Sequence, residues 1–208
     1  MIILVRHGEA AHHIGDLTGG WTDSALTDAG RVQIGEAAKD LANLCRNKQP
    51  VIFSSDLTRA RQSAELIAEP WASPVEYRSF LREKNNGQAA GKTNVEAKIL
   101  RLPRQADEPD NRNYPGGETR REFFERVIEG MIALPLEEER LILVTHKGTI
   151  QNILFWWLKL SIDRVCRSAV SFAARAGSIT VLQINKWGER EISLLNYRRY
   201  NLSSLLKQ

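Results

Sequence analysis

The chain is poor in cysteine. Its two residues, Cys45 and Cys166, lie far apart and outside any Cys-x-x-Cys pair, which argues against a disulfide scaffold and a cysteine-based zinc site. Long apolar runs are missing too. The most apolar stretch, 141–160, is broken by His146, Lys147, Gln151 and Asn152, so no membrane span is read there. At the start, only Ile2–Val5 precede the charged pair Arg6-His7, unlike a signal peptide; a cytoplasmic location is expected. Repeats and low-complexity tracts are absent. Charge of one sign is barely in excess: 29 basic against 25 acidic residues leave +4. No basic helix stripe or aromatic-interleaved basic run appears, which argues against a nucleic-acid partner.

What is present fits an ordinary globular chain of 208 residues, with 42% hydrophobic and 26% charged residues, enough to bury a substantial core. A single domain over residues 1–208 is expected. Of the bases, 20 are Arg and 9 are Lys, and the guanidinium fork suits carboxylate and phosphate oxygens better than an ammonium does.

Short apolar runs alternate with helical patterns, which predicts an α/β fold: three layers, α/β/α, around a mostly parallel mixed sheet. Strands are expected at 2–5, 51–53, 75–77, 141–144, 179–184 and 191–195. Thr27 or Asp28 caps a helix with Ile34, Ala38, Leu41 and Cys45 inward. Ser55 or Asp56 is expected to cap a second, with Leu57, Ala60, Ala64 and Ile67 inward. Further helices are expected at 95–102, from Glu118 or Thr119 to 132, and at 148–160, where Phe155, Trp156 and Trp157 read as core. Residues 85–117, polar and rich in Asn, Gly and Pro, read as a lid-like insertion over the sheet edge.

Three of the apolar strands empty into polar groups: 2–5 into Arg6-His7-Gly8, 51–53 into Ser54-Ser55 and then Arg59, and 141–144 into Thr145-His146-Lys147. In open α/β sheets the ligand crevice lies beyond the strands' carboxyl ends. If these strands are parallel neighbours, Arg6, His7, Arg59 and His146 converge. Arg59 and Lys147 also sit near helix N-termini, where the macrodipole disfavours a cation. A bound anion would compensate, and an anion beside two histidines suggests phosphoryl chemistry.

Arg6-His7-Gly8-Glu9 resembles the signature of the histidine phosphatase superfamily, the phosphoglycerate-mutase-like enzymes. Further matches follow in that family's order: Leu26-Thr27-x-x-Gly30, Ser54-Ser55-Asp56-Leu57-x-Arg59-Ala60, Leu81-x-Glu83 with Gly87, Pro115-Gly116-Gly117-Glu118, and Thr145-His146-x-Gly148. The resemblance implies that fold and a histidine acid phosphatase type of phosphomonoesterase acting on a small phosphorylated metabolite. His7 would be the nucleophile, forming a phosphohistidine. Arg6, Arg59 and His146 would hold the phosphoryl oxygens, and Glu83 would give the leaving oxygen its proton and later activate water. Gly8 would let the loop turn close to the substrate. No metal and no organic cofactor are implied, because the arginine and histidine cage supplies the positive charge.

The pattern departs in places. His13 stands where many family members carry an Asn ligand to phosphate, and is read as a substrate contact. Its neighbour His12 completes a histidine cluster, but adjacent loop histidines rarely both ligate a metal. Lys147 replaces a common Gly and is read either as a contact to a second acidic group on the substrate or as a side chain pointing to solvent. Lys84-Asn85-Asn86-Gly87 lacks the Arg-x-Tyr-Gly that follows this Glu in cofactor-dependent mutases, which favours a phosphatase. A bisphosphoglycerate-dependent mutase is the alternative. A catalytically inactive phospho-ligand module is disfavoured by the presence of both histidines, both arginines and Glu83.

Overall fold

A computed structural model of the chain describes residues 1–46, 48–103, 109–136 and 140–199. Among these, six strands form one sheet: β1 (Ile2–Arg6), β2 (Val51–Ser54), β3 (Val75–Tyr77), β4 (Leu141–Thr145), β5 (Ile179–Ile184) and β6 (Arg190–Tyr197). Their order is β3-β2-β4-β1-β5-β6. The first four run parallel, β5 pairs antiparallel with β1, and β6 antiparallel with β5. The α/β expectation of a mostly parallel mixed sheet is met.

Helices cover both faces, as the side-chain alternation requires. Ile2, Leu4, Leu141 and Leu143 point to the face covered by α5 (Arg120–Ile132) and α6 (Lys147–Trp157), through Val127, Met131, Ile150 and Leu154. Ile3, Val5, Ile142 and Val144 point to α2 (Asp28–Leu44) and α3 (Thr58–Ala68), through Ile34, Leu41, Ala64 and Ile67. β4 is buried at every position, and each of its leucines, isoleucines and valines contributes roughly 1.5–3 kcal/mol over an exposed position. Phe155 and Trp157 join this core.

Local chemistry explains the helix starts, with one correction. Thr27 caps α2 by accepting from the Gly30 N–H at 3.0 Å, and Thr119 forms a reciprocal capping box with Glu122 on α5. Neither Ser55 nor Asp56 caps α3. Asp56 is taken by Arg82 at 2.5 and 2.6 Å. The Thr58 N–H and hydroxyl instead donate to the two carboxylate oxygens of Asp23, both at 2.8 Å. The cap thus comes from 35 residues upstream, which no local pattern signals.

Two short helices, α1 (Ala11–Ile14) and α7 (Ile162–Ser168), were not foreseen, and α4 covers Asn94–Ile99. The stretch 85–117, whose residues 104–108 lie outside those described, does not simply drape over the sheet edge. It is stitched to the loop after α1: Thr18 N–H donates to Lys92 O (2.8 Å), Asn94 N–H to Asp16 O (3.0 Å), and Gly91 N–H to Thr22 Oγ1 (2.7 Å). No helix among the described residues is long and apolar enough to cross a membrane.

Candidate active site

β2, β4 and β1 are consecutive and parallel, with Arg6 opposite Thr145 and Ser54 opposite Val144. Their carboxyl ends therefore deliver His7, His146 and, one turn into α3, Arg59 to one point. The ring centroids of His7 and His146 lie 4.9 Å apart, edge to face.

His7 is 2% exposed. Its Nδ1 stands 2.7 Å from the Gly8 carbonyl oxygen, which only accepts, so Nδ1 carries the proton. Nε2 is left with the lone pair, which accepts the Arg59 Nε–H at 3.2 Å. Burial, then the charges of His146, Arg59 and Arg6, hold this imidazole well below the usual histidine pKa. His146 is shifted the same way, by burial and then Arg59 and Arg6. Its Nε2 meets Ser55 Oγ at 2.9 Å, while Nδ1 is buried without a partner among the described residues.

Arg59 is 1% exposed. Its Nη1 and Nη2 donate to the carbonyls of Thr22 (2.6 Å) and Gly20 (2.7 Å). Burial brings its pKa to about 10, with Glu83 and Asp23 pulling it upward. Arg6 donates Nη1 to Ala174 O at 2.8 Å and sets Nη2 3.2 Å from His13 Nε2. Its Nε is buried and unpartnered among the described residues. The unpaired Nε–H of Arg6, and Nδ1 of His146 in the tautomer that protonates it, are what an arriving oxyanion would satisfy.

Glu83 follows the short turn Ser79–Leu81. Its Oε2 accepts from the Gly148 N–H at 2.9 Å and its Oε1 from the Lys84 N–H at 2.8 Å. A Cβ at Gly148 would overlap Oε1, so glycine is needed there for close approach. The backbone of Glu83 is gripped as well: Trp21 Nε1 (2.7 Å) and Arg126 Nη2 (3.1 Å) donate to its carbonyl. The Trp21 ring in turn lies under the guanidinium groups of Arg82 and Arg126.

His13 stacks on His7 at 5.7 Å and 9° and accepts the Ala10 N–H at Nδ1. Burial and Arg6 lower its pKa to about 4. His12, 6% exposed, pairs with Ser24 Oγ at 2.7 Å, and burial and His13 take it to about 3. No group of three or more His, Cys, Asp or Glu among the described residues is arranged to hold a metal ion. Lys147, the first residue of α6, is exposed.

These groups bound a cavity of about 340 Å³, walled by Arg6, His7, His12, His13, Arg59, Glu83, His146 and Lys147, with Asp16, Leu17, Gly19, Gly20 and Asn94 completing its wall. Gly8 is the exception. It is not part of that wall, and a Cβ there would overlap the Gly30 carbonyl, while one at Gly30 would overlap that of Glu9. The glycine thus serves close packing of the His7 loop on α2 rather than approach to a ligand. Local sequence gives no sign of the roles of Asp23, Trp21, Thr22 and Asn94 beyond the Gly19-Gly20-Trp21 turn, and marks Ser55 only as a strand end and helix start.

A family model described as histidine phosphatase superfamily, branch 1, matches residues 2–197. The chain is similar to a glucosyl-3-phosphoglycerate phosphatase of Mycolicibacterium vanbaalenii, 30% identical over 78% of this chain and 76% of that protein. It is also similar to a 2,3-bisphosphoglycerate-dependent phosphoglycerate mutase of Nitrobacter hamburgensis, 25% identical over 84% and 88% respectively. Among solved structures, a mycobacterial glucosyl-3-phosphoglycerate phosphatase complexed with VO3 superposes with a TM-score of 0.71 at 26% identity, covering 94% of this chain and 98% of that one.

Proposed function

Because the chain belongs to the histidine phosphatase superfamily, we propose that it hydrolyses phosphomonoesters of small metabolites through a phosphohistidine formed on His7 Nε2. The observation that carries this reading is the pairing around His7: its Nδ1 proton is committed to Gly8 O, so the nitrogen with the lone pair is the one turned into the cavity.

The phosphoryl group sits among Arg6 Nε, His146 Nδ1 and the Arg59 guanidinium. Nε2 attacks phosphorus; the N–P bond forms as the ester P–O bond breaks, and Glu83 gives its proton to the departing oxygen. The product alcohol leaves. Glu83 then takes a proton from water, the water oxygen bonds to phosphorus, and the N–P bond breaks to release inorganic phosphate. His13 and Lys147 contact the substrate's outer part, beside Asn94. The arginines provide the positive charge and the neutral histidines add polar contacts, so no metal is needed.

The test is rapid quenching during turnover of a ³²P-labelled monoester. An acid-labile, alkali-stable phosphoenzyme is expected in the intact protein and none in His7→Ala, which also loses phosphate release. Persistent release from His7→Ala would refute the assignment. A mutase is the second reading, favoured by the similarity to the Nitrobacter enzyme. Isomerisation that requires bisphosphoglycerate priming, without net phosphate release, identifies it.

A further inference from the structure

Glu83 is a wall of two cavities. One is the histidine-lined cavity; the other, about 210 Å³, lies between the starts of α5 and α6 and is walled by Lys84, Arg120 and Asn152 together with Phe123 and Phe155. From this juxtaposition we propose that the second cavity is an anion subsite for the leaving part of the substrate, so that the preferred substrates are phosphomonoesters carrying a second acidic group. This rests on the hydrolase reading above, in which Glu83 touches the leaving oxygen: whatever is attached to that oxygen starts at the carboxylate shared by both cavities.

The cavity is built for an anion in three respects. Lys84 and Arg120 are brought together against each other's charge, and neither side chain makes a hydrogen bond to a carboxylate among the described residues. The nearby acids are otherwise engaged, Glu118 by Arg126 and the Asn85 N–H, Glu122 by Arg112 and the Thr119 N–H. Burial, then Arg120, lowers the Lys84 pKa, while Glu118, Glu83 and Glu122 pull it upward, and an anion between the two cations would relieve their mutual repulsion. Asn152 adds an amide. It is 6% exposed, and its Nδ2 is buried without a partner among the described residues, a cost that an acceptor in the cavity would remove. Phe123 and Phe155 make the surroundings apolar, which strengthens each charge–charge contact. A carboxylate and a second phosphate satisfy these groups equally well in kind.

Binding calorimetry in the non-hydrolysing His7→Ala background tests the subsite independently of turnover. The probes are 3-phosphoglycerate, glycerol 3-phosphate, which has a hydroxymethyl in place of the carboxylate, and propane-1,3-diol bisphosphate. At least one acid-bearing probe is expected to bind about tenfold or more tighter than glycerol 3-phosphate, and the ranking of the two tells carboxylate from phosphate. In Lys84→Gln/Arg120→Gln the preference should vanish, in Lys84→Arg/Arg120→Lys it should return, and Asn152→Leu, which keeps both charges, should weaken it about threefold. Equal binding of all three probes, or a preference that survives Lys84→Gln/Arg120→Gln, overturns the proposal. Absence of phosphate release by the intact protein would instead sink the hydrolase reading, and the binding comparison would still decide on the subsite.

Discussion

Arg59 gives its Nε–H to His7 Nε2 across 3.2 Å, while its two terminal nitrogens hold the carbonyls of Gly20 and Thr22. One buried guanidinium therefore orients the reactive nitrogen and fastens the loop that walls the cavity. Arg59→Lys keeps a cation but loses the fork. It is expected to lower kcat/KM by about 10²–10³-fold and to speed proteolysis within 17–24. Unchanged kinetics would remove Arg59 from the phosphoryl site.

The carboxylate of Glu83 is fixed from behind by two backbone N–H groups, and Gly148 leaves just enough room for it. Gly148→Ala is expected to cut kcat by about 10²-fold, the scale of a displaced general acid. Glu83→Gln should likewise slow turnover more than it weakens phosphate binding. Parallel losses of rate and phosphate affinity would make Glu83 a binding residue.

Asp23 supplies the cap that α3 lacks locally. Asp23→Ala should cost about 1 kcal/mol in chemical denaturation, and the same change should lower activity, because the capped turn carries Arg59. A stability loss with full activity would separate the cap from the site.

Acid should unfold this protein before it silences the nucleophile. His7, His12 and His146 are buried and titrate below the ordinary histidine value of 6.5. Above pH 6.5 they are neutral in both states and contribute no pH dependence. As pH falls below 6.5 the unfolded chain takes up protons that the folded one refuses, so stability drops by about 1.4 kcal/mol per pH unit for each such histidine. The drop continues towards the folded values, about 3 for His12. Loss of activity on acidification should coincide with unfolding followed by circular dichroism; a reversible activity loss centred near pH 6.5 in a folded protein would contradict this.

Chelation is the remaining check. Treatment with EDTA should leave phosphate release intact, since arginine and histidine donors surround the oxyanion position. Strong inhibition restored by added zinc would bring His12 and His13 back as ligands.

The layers of the fold were legible because their cause is local: alternating apolar residues in 2–5 and 141–144, and helical spacing at Ile34, Ala38 and Leu41. The clustering of Arg6, His7, Arg59 and His146 was legible because three strand ends point one way in a parallel sheet. What escaped prediction depends on distant partners. Asp23 meets Thr58 across 35 residues, and Asn152 looks like any polar helix residue until Lys84 and Arg120 are seen beside it. Gly8 misled for the same reason: what demands a glycine is Gly30 on another element, not the loop's own turn.

The pairing of β1 has a consequence for biosynthesis. Ile2–Arg6 is synthesised well before its two sheet neighbours, Leu141–Thr145 and Ile179–Ile184. Both hydrogen-bonding edges of the strand that carries His7 stay vacant until most of the chain has been translated. Closure of such sequence-distant pairs is slow, and an apolar strand left waiting is prone to pair with the wrong chain. His7, the proposed nucleophile, is thus made long before the strands that set it in the sheet, so a polypeptide stalled before Leu141 would carry this histidine without the Arg6–Thr145 pairing and without His146.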